Sequence, residues 1–228
     1  MSNEPASTTP RKRIDLICFD VDGTLITHPS GMVIWEVLNL KFGGSRDINK
    51  RRYEMYHRGE LPYDEWVALD VGGWISAGAT RADIVEVASE FSLVDGARET
   101  VEELRRRGYK LAVISGTLDV LLEHLFPGHP FDTVYTNRVF FDEGGKLTRW
   151  KATPFDGHGK PLALREIANK YNIPLSRSAF VGDGENDVPL LGLPGLFVAY
   201  EPRSPRLEAG ADLVIRDSGF IRLLDVFS

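Results

Sequence analysis

An α/β fold is predicted, a mostly parallel sheet covered by helices with a small helical unit inserted near its start, and three observations predict it. Short apolar runs at 14–19, 110–114, 131–136, 178–181, 196–199 and 212–215 are separated by stretches of helical periodicity, the alternation that crossovers between parallel strands produce. Between the first two runs, 27–90 carries helical spacing only. Polar side chains gather just after several runs, at the carboxyl ends of the predicted strands, where open parallel sheets collect ligands.

The elements follow in order. The run 14–19 is apolar on both faces, as a central strand requires. Met32, Val33, Trp35, Val37, Leu38 and Leu40 make an amphipathic helix, followed by helical stretches around Tyr53 and Met55, at 66–71 and at 84–88. Breaks are expected at Gly43-Gly44, at Gly59 with Pro62, and at Gly72-Gly73 with Gly78, and Thr80 suits an N-cap. After Asp95-Gly96 come a helix over 97–107, Gly108 as its C-cap, and a strand over 110–114, with Ser115-Gly116-Thr117 turning into a helix through Leu125. A strand at 131–136 precedes a hairpin, 138–141 with 146–150, around Asp142-Glu143-Gly144-Gly145. A helix over 160–171 and strands at 178–181, 196–199 and 212–215 complete a Rossmann-like core. The expected organisation is a disordered tail over 1–12, a core made of 13–26 and 91–228, and a helical unit over 27–90.

The 228 residues, 43% of them hydrophobic, suffice for a full core, burying about 70% of the unfolded chain's surface. A net charge of -6 argues against general nucleic-acid binding, leaving small metabolites or proteins as partners. No run approaches the ~20 apolar residues of a membrane span. Cys18 is the sole cysteine and lies within the first strand, so no disulfide forms, a buried thiol is expected, and a reducing cytoplasm fits. Monomer and homodimer both remain open, and the five histidines show no zinc-ligand spacing.

Asp20-Val21-Asp22-Gly23-Thr24-Leu25 directly follows the first strand. Residues i and i+2 of an extended segment point the same way, so Asp20 and Asp22 can share one cleft. Either they merely end the strand, as Asp and Gly often do, or they form a metal-assisted phosphate site. Ser115, with the amides of Gly116 and Thr117, either caps a helix or holds phosphate oxygens. Gly182-Asp183-Gly184-Glu185-Asn186-Asp187 offers an acidic helix start or a pair of carboxylates for a cation. Lys160, at a helix start where the dipole disfavours a cation, is either a solvated surface lysine or the partner of nearby anions.

Taken together, these segments resemble the haloacid-dehalogenase-like hydrolase superfamily, in its phosphoserine-phosphatase-like branch. The motifs that carry the resemblance are Phe19 to Thr24, Val113 to Thr117, Gly159-Lys160-Pro161 and Val181 to Asp187. Thr136-Asn137-Arg138, Gly145-Lys146-Leu147-Thr148 and the helical insert, which looks like that branch's cap domain, extend it. The resemblance implies Asp20 as nucleophile, Asp22 as acid and base, Ser115 and Lys160 as phosphoryl ligands, and Mg²⁺ held by Asp20, Asp22, Asp183 and Asp187, with Asn186 in support. It implies hydrolysis of a small phosphorylated metabolite through a phospho-aspartate, or transfer to another hydroxyl from the same intermediate. A phosphate-responsive binder without turnover is the alternative from another class.

The insert departs from the branch. Its serine-reading glutamate and arginine fall on the neighbourhoods of Pro29 and Asp70, and neither can do that work. Arg51, Arg52 or Arg58 is expected to substitute, so phosphoserine itself is expected to rank below another phosphomonoester. Tyr53, Tyr56, Tyr63 and Trp66 either meet a larger leaving group or pack among the helices.

Overall fold

The computed structural model describes residues 13–228; the tail expected over 1–12 lies outside them. In chain order the elements are β1 (Leu16–Phe19), β2 (Ile26–Thr27), α1 (Ile34–Lys41), α2 (Arg46–His57), α3 (Tyr63–Ser76), α4 (Arg81–Ala88), β3 (Ser92–Leu93), α5 (Ala97–Arg106), β4 (Lys110–Leu118), α6 (Asp119–Leu125), β5 (Thr133–Phe141), β6 (Leu147–Lys151), α7 (Lys160–Lys170), β7 (Ser178–Gly182), β8 (Leu196–Tyr200), α8 (Pro205–Gly210), β9 (Leu213–Ile215) and α9 (Leu223–Val226). Seven strands form one sheet in the order β6-β5-β4-β1-β7-β8-β9. All neighbours in it are parallel except the edge strand β6, which runs antiparallel to β5.

The sheet is covered on both faces, and strand alternation divides its residues between two cores. Ile17, Phe19, Leu111, Val113, Val181 and Val198 pack on one side with α5 and the insert, while Leu16, Cys18, Ala112, Ile114, Phe180 and Phe197 pack on the other against Ala163, Leu164 and Ile167 of α7. Each buried Leu, Ile or Phe contributes about 1.5–3 kcal/mol. Cys18 is fully buried, and burial pushes its thiol far above the range in which it reacts.

Four features differ from expectation, each for a local reason. β4 continues through Ser115-Gly116-Thr117 to Leu118, and α6 opens only at Asp119. A register shift against β5 between Ile114 and Leu118 absorbs the bend that a turn was expected to make. The segments at 131–136 and 138–141 are one strand, β5, pairing parallel with β4 along its first half and antiparallel with β6 along its second. α3 runs through Gly72-Gly73 to Ser76 because Val67, Asp70, Val71 and Trp74 form a buried stripe, which outweighs about 1 kcal/mol per helical glycine. β2 and β3, two residues each, pair antiparallel through Ile26 with Leu93 and Thr27 with Ser92, so both ends of the four-helix insert meet at one place. Strands that short carry no readable periodicity.

The insert also leans on the β5–β6 hairpin. Arg81 N donates to Gly145 O at 2.8 Å and Leu147 N to Ala79 O at 2.9 Å. The Thr80 N-cap forms as the sequence predicts, in a capping box with Asp83.

Candidate active site

The carboxyl ends of β1, β4 and β7 and the start of α7 converge on one cluster. Asp20 follows β1 with its amide bonded to Val181 O of β7 at 2.9 Å. The chain then turns back at once: Leu25 N and Ile26 N both donate to Val21 O, and Gly23 N donates to Ile26 O. Gly23 sits at φ 86°, where a Cβ would strain the backbone and overlap the Asp183 carboxylate and the Arg203 guanidinium.

Lys160 is completely buried, which settles the choice left open by the sequence. Its Nζ lies 2.6 Å from Asp187 Oδ1 and 3.1 Å from Asp20 Oδ1. Burial weakens the ammonium's hold on its proton, but Asp187 and Asp20 more than reverse this and raise its affinity for it. Asp187 is held twice over, since its Oδ2 accepts from Asp183 N and Gly184 N at 3.1 Å each. Burial and the neighbouring Asp20 and Asp183 push its carboxyl up while Lys160 pulls it down. An ammonium and two amides are the surroundings of an ionised carboxylate, and we take the pair as charged.

Asp183 is buried, with Oδ1 accepting from Thr24 Oγ1 at 3.1 Å and Oδ2 from Arg203 Nε at 2.6 Å. Burial pushes its carboxyl up to about 6 against the pull of Arg203. Asp22 is pushed up to about 7, by burial first and the charge of Asp20 second. A carboxyl poised there exchanges protons near neutrality, as an acid–base catalyst must.

Oxygens of Asp20, Asp183 and Asp187 all lie within 4.8 Å of one another. The Asp22 carboxylate lies outside that group of three. Asp187 spends its oxygens on Lys160 and two amides, which makes it an organiser of the cluster more than an open donor. A divalent cation fits what remains. Asp20 Oδ1 is buried and, among the described residues, meets only the Lys160 ammonium at 3.1 Å; Asp187 shares that ammonium and Asp183 meets Arg203, two cations for the four clustered carboxylates of Asp20, Asp22, Asp183 and Asp187. An all-oxygen set of this kind suits a hard ion.

Ser115 is buried in β4, beside β1, and accepts from Thr117 N at 3.2 Å. Because α6 begins later, Gly116 and Thr117 are strand residues and not the opening of a helix. The Gly116 carbonyl is fixed by Trp35 Nε1 of α1 at 2.8 Å and Asn137 Nδ2 of β5 at 2.6 Å. Asn186 donates to Asp156 Oδ1 at 3.3 Å.

The insert contributes aromatics where arginines were expected. Arg51 is exposed, Arg52 is paired with the buried Asp70, and Arg58 lies on the surface against Glu60 at 2.7 Å. Tyr63 Oη instead accepts from Asn137 Nδ2 at 2.7 Å, and Tyr56 Oη accepts from His158 N at 3.4 Å. These rings also pack on one another and on Trp66, with centroids 5.7–6.3 Å apart, the packing role that the sequence allowed.

Three participants escaped sequence reasoning. Arg203 follows β8 in no motif, and Asp156 stands in an irregular stretch before α7. Asn137 had a signal, a polar residue inside an apolar strand within the family-like stretch 136–138.

Comparison with known proteins agrees with this geometry. A profile of the haloacid dehalogenase-like hydrolases matches residues 17–192. A phosphoserine phosphatase of Mycobacterium tuberculosis is 35% identical over 86% of this chain and 46% of its own length, and one of Archaeoglobus fulgidus is 30% identical over 88% and 56%. This chain thus spans about half the length of those relatives. A structure of a phospho-aspartyl intermediate analogue of phosphoserine phosphatase superposes with a TM-score of 0.73 at 26% identity, covering 95% of this chain and 100% of that one. Among the described residues no helix is long and apolar enough to cross a membrane.

Proposed function

The chain belongs to the haloacid dehalogenase-like hydrolase family, and from that premise we propose that it is a Mg²⁺-dependent phosphatase of a small phosphorylated metabolite, working in the cytoplasm through a phospho-aspartate on Asp20. The observation that carries the proposal is the buried Lys160 ammonium bridging Asp20 and Asp187. An anion held unsolvated beside a fixed cation is ready to meet a phosphate and costs little reorganisation when it does.

In this scheme an Asp20 oxygen attacks phosphorus, and the ester P–O bond breaks with its electron pair leaving on the alcohol oxygen. Asp22, whose carboxyl keeps its proton to about pH 7, gives that proton to the departing oxygen. It then takes one from the water that attacks phosphorus, releasing phosphate and restoring Asp20. Ser115 and the amides around Gly116 and Thr117 orient the phosphoryl oxygens, and Lys160 balances their charge. Asp20 and Asp183 would hold Mg²⁺, with Asp187 and Asn186 ordering the surroundings; the bound ion neutralises oxygen charge that otherwise repels an incoming carboxylate. Transfer to an acceptor hydroxyl would use the same phospho-aspartate.

We assign leaving-group selection to the insert over 27–90, acting as a cap, through Tyr56 and Tyr63 with Asp156. Phosphoserine is the substrate that the relatives' names favour. Against it stands the Arg52–Asp70 pair, which commits a cap guanidinium that a serine carboxylate would need. Phosphate release across a panel of phosphoserine, sugar phosphates, nucleotide monophosphates and other small phosphomonoesters, with Mg²⁺, tests both levels. We expect turnover with phosphoserine ranked below at least one other ester; no release from any ester overturns the phosphatase proposal, and phosphoserine clearly first overturns the ranking.

A further inference from the structure

Arg203 is clamped to Asp183 at both ends. Its backbone N donates to Asp183 O at 2.8 Å and its Nε to Asp183 Oδ2 at 2.6 Å. The rest of the guanidinium reaches two more carbonyls, Nη2 to Asp22 O at 3.4 Å and Nη1 to Gly31 O at 3.2 Å. It therefore spans the metal-site carboxylate, the backbone of the acid–base residue and the linker from β2 into α1. Gly23 leaves room for it, since a Cβ there would overlap the guanidinium. The side chain is 49% exposed, so it has solvent to move into, unlike Lys160.

We infer that Arg203 is a resident counter-ion that competes with a divalent cation for the Asp183 carboxylate, and that loading the cation releases the Arg203–Gly31 tie to the insert. The inference rests on the metal site proposed above. Asp183 Oδ1 is committed to Thr24, so a cation approaching this carboxylate meets the oxygen that Arg203 occupies. Two like charges on one carboxylate repel, and the half-exposed one yields at lower cost. Departure of the guanidinium removes its bond to Gly31 O, so occupancy of the carboxylate cluster reaches the linker over 28–33.

The test compares wild type with Arg203→Met and Arg203→Lys, by Mg²⁺ calorimetry, thermal unfolding with and without Mg²⁺, and hydrogen exchange over 28–33, where the Gly31 amide is bonded to His28 O. Arg203→Met should bind Mg²⁺ about tenfold more tightly, equivalent to about 1.4 kcal/mol, while its metal-free form melts at a lower temperature. Arg203→Lys, which keeps the charge without the fork, should lie between. In wild type, Mg²⁺ should speed exchange over 28–33; in Arg203→Met exchange should be fast with or without it. Equal or weaker Mg²⁺ binding by both variants, or no Mg²⁺ effect on wild-type exchange, overturns the inference and leaves the metal site standing. No Mg²⁺ binding by any of the proteins overturns both.

Discussion

The carboxylate cluster and the face of the insert above it are held by different means. Asp20, Lys160, Asp183 and Asp187 are each at most 2% exposed and tied to partners from β1, β7, α7 and the loop after β8. On the insert, Tyr53 is 42% exposed and its near contacts are the rings of His57 and Trp66. Four elements together hold these charges, so displacing one leaves others unpaired in low dielectric, a cost no single contact recovers. An aromatic face tolerates exchange, because ring packing is adaptable and its polar tips remain wet. The proposed division, with the shared chemistry in the rigid region and discrimination in the other, follows this contrast.

The largest effect is expected from Asp20→Asn, which keeps shape and removes the proposed nucleophile. Turnover is expected to fall by at least about 10³-fold with the circular dichroism spectrum unchanged, and mass spectrometry of quenched reactions should find phosphate on the Asp20 peptide of active protein alone. Retained steady-state hydrolysis would move the chemistry elsewhere.

Next comes Lys160→Met, which strands Asp20 and Asp187 without their cation. It should destabilise the fold by about 3–5 kcal/mol in urea unfolding, whereas Arg58→Ala, removing a surface pair, should stay within about 0.5 kcal/mol. Similar losses from both would erase the contrast between the regions.

The third is pH. Asp183 and Asp22 bind protons more tightly folded than unfolded, with carboxyls at about 6 and about 7. Their contribution to stability is full below the ordinary carboxylate value near 4 and is lost as pH rises through 6 to 7. Metal-free protein should therefore melt higher at pH 5 than at pH 8, by about 2–4 °C for each kcal/mol, and saturating Mg²⁺ should shrink the gap. A higher melting temperature at pH 8 without metal would contradict the shared desolvation of these carboxylates.

The smallest effect is expected from Tyr56→Phe, which deletes one hydroxyl on the insert. Ratios of kcat/KM between substrates should change by about two- to tenfold, the scale of one modest hydrogen bond, while Mg²⁺ affinity stays put. A uniform loss for every substrate would place Tyr56 in the common chemistry.

Much of this was legible in the chain because local rules govern it. Alternation divided β1 between two cores, and the apolar runs, with the hairpin signal for β6, announced every strand of the main sheet except the length of β4 and the continuity of β5. The four short motifs named Asp20, Ser115, Lys160 and Asp183; Asp20, Lys160 and Asp183 sit where a strand ends or a helix begins, positions that turn chemistry marks, while Ser115 lies within β4. The Gly72-Gly73 break and the helix opening at Thr117 failed for one cause: propensity is worth about 1 kcal/mol, and burial of Trp74 or pairing of Leu118 with Asn137 exceeds it.

Spacing along the chain is enough to specify the parallel sheet, its helical insert and the identity of the acidic centre. Tertiary structure alone decided whether Lys160 is solvent-facing or buried, that Asp22 stands outside the three-carboxylate group, that Arg52 belongs to Asp70, and that Arg203, 20 residues beyond Asp183, returns to it. The reason is physical: the charge state and role of a side chain follow from which distant charges share its low-dielectric space, and that is set by how elements pack and not by the order in which they are joined.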